Sequence, residues 1–148
     1  IGRQFEAIRI EVLRQPRDIA ELKREVIAMR QKMADAHANK SDLFDIKHDR
    51  GGLIDVEFIV QYLVLGHAHA HAELTGNLGN LALLKIAAGL GLIPEELAER
   101  VRDAYRRYRR LQHSLRLNDA QYARVGRDTL AQEIASVQEL WRTVFGAG

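Results

Sequence analysis

The sequence has no cysteine in its 148 residues. That excludes a disulfide framework, a cysteine-ligated zinc and a cysteine nucleophile. Prolines number 2 and aromatics make up 6%, so helix breakers and strand-favouring rings are both scarce. No apolar run approaches the roughly 18 residues that a membrane-spanning helix needs. No signal-peptide pattern is visible. Charge of one sign is also lacking: 22 basic residues against 20 acidic give a net +2. That balance carries no general nucleic-acid footprint. GxSxG and GxxxxGK[ST] are absent, as is any pair of acids at a plausible acid/base spacing.

What is present reads as helix. Hydrophobic residues make up 47% and charged residues 28%, ordinary globular composition rich in Ala, Leu, Arg and Glu. The length suits one domain, residues 1–148, able to bury about 70% of its unfolded surface. The opening at Ile1 reads as mid-helix, which marks the chain as a piece of a longer protein. Phe5, Ile8, Val12 and Leu13 recur at helical spacing until Pro16. Asp18 is placed to cap a second helix with Ile19, Leu22, Val26, Met29 and Met33 as its core stripe. The helical period then fails, and residues 43–47 alternate as a short strand or extended loop. Gly51-Gly52 open a helix that is apolar almost all round, so its Phe58, Tyr62 and Leu63 should be the buried centre. Leu78, Leu81, Leu84, Ile86 and Leu90 form a fourth helix ended by Gly89 and Gly91. Pro94 starts a long fifth that runs to about Leu117. Asp128 or Thr129 caps a last helix carrying Leu130 to Val144. The expected architecture is all-α: a bundle of about six helices with one extended excursion.

Four features could carry chemistry. Asp55, Glu57 and Gln61 interrupt the apolar central helix, and a buried carboxylate needs a partner. Asp55 and Glu57 lie about 200° apart round the helix, so they cannot share one ion. The plain alternative is helix-start electrostatics plus a buried ion pair. Lys47, His48, Asp49, Arg50, Gly51 and Gly52 precede that helix. Two cations and a glycine turn at a helix N-terminus suit a phosphate, or else form a turn with solvated charges. Arg102, Arg106, Arg109, His113 and Arg116 share one helix face at spacings of 4, 3, 4 and 3. Such an arginine stripe suits phosphate or carboxylate groups, or is a solvated face. His67, His69 and His71 make an HxHxH run without a carboxylate at fixed spacing, so no metal site is expected there.

From Phe44 to Leu65 the resemblance to a known family becomes specific. The pattern K-x-x-x-G-G-x-x-[DE]-[IV]-E-F-x-x-Q of the glutamine synthetase adenylyltransferase family is matched at Lys47, Gly51, Gly52, Asp55, Val56, Glu57, Phe58 and Gln61. A second pattern, A-Y-x-x-x-R-x-x-[EQ]-H-x-L, is matched at Ala104, Tyr105, Arg109, Gln112, His113 and Leu115. The resemblance covers essentially the whole chain. Asp55, and the ending from Trp141 to Phe145, resemble the helical domain after the second, adenylylating nucleotidyltransferase core. The core's G-S and D-x-D metal motif is absent, so the resemblance places the Mg²⁺ carboxylates and the catalytic step outside this chain. It implies a cytoplasmic parent enzyme that uses ATP and Mg²⁺ to transfer AMP to glutamine synthetase, with the chain alone inactive and holding neither cofactor nor catalytic residue. It further implies a PII-type signal protein and the missing core as partners, glutamine as regulator, and no nucleic acid or membrane. On this reading Lys47, Arg50, Gly51, Gly52, Asp55, Glu57, Arg109 and His113 face the core or its nucleotide, with Asp55 and Glu57 buried or half-buried and Arg109 as their expected cation. Two alternatives stand beside it: the related PII uridylyltransferase, and a helical docking module for glutamine synthetase or PII that touches no nucleotide.

Overall fold

A computed structural model describes residues 7, 10–12, 14, 18–76 and 78–146. The first expected helix, with Phe5, Ile8 and Leu13, falls largely outside the described residues. Five α-helices lie wholly within the described residues: α1 (Ile19–Ala36), α2 (Leu53–His67), α3 (Asn80–Gly89), α4 (Glu95–Leu117) and α5 (Ala131–Phe145). The short 3₁₀ turns Ala72–Thr75 and Arg127–Leu130 lead into α3 and α5. The fold is an all-α bundle, as the composition and periodicity predict.

Element ends follow local chemistry. Asp18 caps α1 by accepting a hydrogen bond from the Glu21 amide at 3.2 Å. Pro94 is the N-cap of α4 rather than a first-turn residue. The last helix differs from expectation. Asp128 and Thr129 lie in the 3₁₀ turn and Leu130 is the N-cap of α5, because the chain tightens before it settles into α geometry.

Helix α2 is the hub, packed against α1, α3, α4 and α5. It buries Leu53, Ile54, Val56, Ile59, Val60, Tyr62 and Leu63. Phe58 is only half-buried. Each such Leu or Ile contributes about 1.5–3 kcal/mol on leaving water, which favours the all-round apolar helix over any amphipathic neighbour as the centre. Met29 is a correction: it is 58% exposed. The stripe of α1 runs instead through Leu22, Val26, Arg30 and Met33, with Arg30 fully buried.

The excursion is a strand, and its partner lies far along the chain. β1 (Phe44–Asp45) pairs antiparallel with β2 (Arg124–Val125), in the register Phe44 to Val125 and Asp45 to Arg124. The Ile46 amide adds a bond to the Ala123 carbonyl at 2.8 Å. This ribbon ties the loop before α2 to the segment after α4. No helix among the described residues is long and apolar enough to cross a membrane.

Candidate functional site

The loop before α2 is built by its own side chains. The Asp49 carboxylate accepts the Asp45 amide and the Asn39 side-chain amide, both at 2.9 Å. Asp45 in turn accepts the amides of Lys47 and His48 at 3.0 and 2.9 Å. Arg124 approaches Asp45 at 3.5 Å and Arg127 approaches Asp49 at 3.4 Å. Such Asx bonds offer the backbone a turn in place of helix or ladder. The loop therefore arrives at α2 in one conformation.

The glycine turn faces inward. Gly51 has φ +91°, and a Cβ there would sit 2.9 Å from the Ile134 Cγ2 of α5. A Cβ on Gly52 would collide with the Ile46 carbonyl oxygen. Four successive N–H groups at this helix start, those of Gly51 to Ile54, are taken. Gly51 donates to Asp55 at 2.7 Å, Gly52 to the Asp49 carbonyl at 3.0 Å, Leu53 to Ile46 at 2.8 Å and Ile54 to Lys47 at 3.1 Å. The Gly51 to Ile54 amides are therefore not free to hold a phosphate, one of the two readings that the sequence leaves open for this turn.

Asp55 is 1% exposed. Its cation is Arg30 of α1, not Arg109: the Arg30 Nε lies 2.5 Å from Oδ1. Arg30 also donates to the His48 carbonyl at 2.8 Å. Arg50 stands 3.7 Å from the same carboxylate, beneath the Trp141 ring. Glu57 is likewise corrected. It is exposed, beside Gln61, because the 200° offset that buries Asp55 turns Glu57 outward. Arg109 and His113 are exposed on α4.

The second sequence block meets the first through Tyr108, which is fully buried and donates to the Gly51 carbonyl at 2.7 Å. Burial, then the charges of Glu133 and Asp55, hold its hydroxyl protonated far above the ordinary range. Tyr108→Phe keeps the ring beside Phe44 and leaves the carbonyl unpaired. The expected loss is about 1–3 kcal/mol, read as a lower urea midpoint at unchanged slope.

One turn further along α4, Gln112 and Arg116 line a cavity of about 230 Å³ with Asp45, Lys47 and His48. Lys47 is exposed and makes no ion pair among the described residues. Of the expected site residues, then, Gly51, Gly52 and Asp55 join a buried brace with Arg50 at its edge. Lys47 reaches this cavity, and Glu57, Arg109 and His113 lie elsewhere on the surface. Of the arginine stripe, Arg106 is paired within the chain, and two neighbouring arginines outside the stripe, Arg107 and Arg100, are paired as well. Arg107 pairs with Glu133 at 3.0 Å, Arg106 with Asp103 at 2.8 Å and Arg100 with Glu139 at 3.2 Å.

His48 is half-buried and stacked on His37, with ring centroids 4.1 Å apart. Burial first, then the His37 charge, lowers its pKa below the usual 6.5. The unfolded chain therefore binds a proton more readily, and stability falls as pH drops below 6.5 through the folded value. Above 6.5 the effect vanishes. His67, lowered chiefly by burial, acts in the same direction. The expected result is a melting temperature that falls between about pH 7 and pH 5, with a shallower fall in His48→Gln. The run His67, His69 and His71 gathers no further ligand: no group of three or more metal-binding side chains occurs among the described residues.

Sequence reasoning alone misses Arg30, Tyr108 and Arg124. Arg30 carries a signal, a cation on the apolar stripe four residues after Val26. Tyr108 lies at a core position of α4. Arg124 gives none, since its role depends on the pairing of β1 with β2.

The arrangement defines a class: an all-helical domain whose glycine-turn signature is locked into the bundle by a buried ion pair. Comparison with known proteins gives the particular family. The model of the GlnD PII-uridylyltransferase family matches residues 20–143, and the chain belongs to that family. Relatives over nearly its whole length are bifunctional glutamine synthetase adenylyltransferase/adenylyl-removing enzymes. The one from Aromatoleum aromaticum is 62% identical over 99% of this chain. The Bordetella bronchiseptica enzyme is 54% identical over 99%, and that of Nitrosomonas europaea 50% over 98%. The chain spans 16–17% of the length of these relatives.

Proposed function

We propose that this chain is the helical domain that follows the adenylylating core of a bifunctional enzyme acting on glutamine synthetase. The observation that carries the reading is the 62% identity over 99% of the chain to such an enzyme. The parent uses ATP and Mg²⁺, bound by its nucleotidyltransferase core, to place AMP on glutamine synthetase, and it works in the cytoplasm. A PII-type protein and glutamine regulate it. This chain supplies no nucleophile and no metal carboxylates, so it does not transfer AMP alone. Its own contribution is to hold the Lys47 loop rigid beside the core. Nucleotidyl transfer rests on charge neutralisation and positioning, and a rigid cationic loop serves the second.

A different reading draws on the name of the matching family model: the parent transfers UMP to PII. The two separate in one assay of the full-length enzyme with labelled ATP or UTP and both acceptors. Label from ATP on glutamine synthetase supports the first. Label from UTP on PII alone overturns it. Deleting this domain should abolish transfer, and a deletion that leaves the rate intact contradicts the proposed role.

A further inference from the structure

We infer that the cavity between the Lys47 loop and the C-terminal end of α4 is a binding site for a small molecule that carries an oxyanion, a phosphate or a carboxylate. The inference stands on the cavity itself and does not depend on the parent's activity.

His48 and Gln112 carry the argument. The His48 Nδ1 is buried without a hydrogen-bond partner. Gln112 is only 6% exposed, and its side-chain amide makes no hydrogen bond among the described residues. Both residues line a cavity of about 230 Å³, where a ligand can supply a partner. That volume lies just below the common range for ligand pockets, about 300–1,000 Å³, which selects a small occupant.

The charge around Gln112 selects its sign. Lys47 and Arg116 line the same cavity, and neither has an ion pair among the described residues. Asp45 is the one carboxylate in the lining, and it is already engaged. Its Oδ1 accepts two backbone amides, and Arg124 stands 3.5 Å from its Oδ2. An oxyanion set between Lys47 and Arg116 meets two cations, and the rest of a small polar molecule satisfies the Gln112 amide. Arginine favours the planar, two-point contact that phosphate and carboxylate both offer. Both walls are stiff: the Lys47 wall is fixed by the Asp45 and Asp49 bonds, the other by α4. The site is therefore formed before anything binds.

The test is a titration of the isotope-labelled chain followed by nuclear magnetic resonance. Inorganic phosphate and acetate are separate probes, and sodium chloride at matched ionic strength is the control. The expected result is saturable shifts of the Gln112 side-chain amide and the backbone amides of residues 47, 48 and 121–123. Tighter saturation by one probe says which oxyanion the site prefers. Lys47→Met with Arg116→Met should weaken binding about tenfold or more, equivalent to about 1.4 kcal/mol or more. Both side chains are exposed, so circular dichroism and the melting temperature should not change. Gln112→Glu, a near-isosteric carboxylate, should abolish binding, and if it fails to fold the Lys47/Arg116 pair decides. Shifts that only follow ionic strength, that spread over the whole basic surface, or that persist in the double variant overturn the inference.

Discussion

Replacing Arg30 with Met should be the most damaging change of charge in the chain. It leaves the Asp55 carboxylate, 1% exposed, without the cation at 2.5 Å. Breaking a buried pair from one side costs about 3–5 kcal/mol, because the remaining charge is uncompensated. At roughly 2–4 °C per kcal/mol for a domain of this size, the melting temperature drops by about 6–20 °C. Arg50 softens the loss only slightly, since its side chain is 37% exposed and its guanidinium is 3.7 Å away. Adding Asp55→Leu should restore part of the loss and no more. The Gly51 amide then lacks its acceptor, a bond of 2.7 Å in the native chain. Differential scanning calorimetry of the two variants checks both steps. An Arg30→Met protein that melts with the wild type would show that Asp55 is not held by Arg30.

Gly52→Ala should match or exceed that loss by a steric route. The new Cβ collides with the Ile46 oxygen and falls 3.0 Å from the Asp49 oxygen and 3.1 Å from the Ile46 carbonyl carbon. All three are backbone atoms, so no rotamer change relieves the clash. The Ile46 oxygen also accepts the Leu53 amide, so moving it opens the start of α2. Overpacking of this kind costs about 1–3 kcal/mol where side chains yield, and more where backbone must move. Gly89, at the end of α3, is the control: a Cβ there would meet nothing within 4 Å. Gly89→Ala should be neutral or stabilising by up to about 1 kcal/mol on helix propensity. Equal melting temperatures for the two alanine variants would contradict the packing of the glycine turn.

Much of the fold is legible in the sequence because it depends on local pattern. The all-round apolarity of α2 marks it as the hub, and Asp18 marks the start of α1. Three features stay hidden for identifiable reasons. Arg30 breaks an apolar stripe, so the pattern shifts to Met29, which is 58% exposed. The strand at Phe44 needs a partner near residue 124, and pairing across that separation leaves no periodic trace. The Lys47-to-Gly52 loop invites a phosphate because helix starts usually leave N–H groups free. Here Asp49, Ile46, Lys47 and Asp55 accept those of Gly51 to Ile54. The signature is therefore split by direction: its glycines and Asp55 build the brace, while Lys47 and Glu57 face outward.

That split is tested most directly by one paired measurement on the full-length enzyme. Thermal unfolding and the AMP transfer to glutamine synthetase proposed for the parent are read on the same preparations of Asp55→Asn and Lys47→Ala. The account predicts that Asp55→Asn lowers the melting temperature of this domain and loses activity only as the folded fraction falls. Lys47→Ala keeps the melting temperature and lowers the rate of transfer. Asp55→Asn with an unchanged melting temperature and no activity, or Lys47→Ala with full activity, would contradict it.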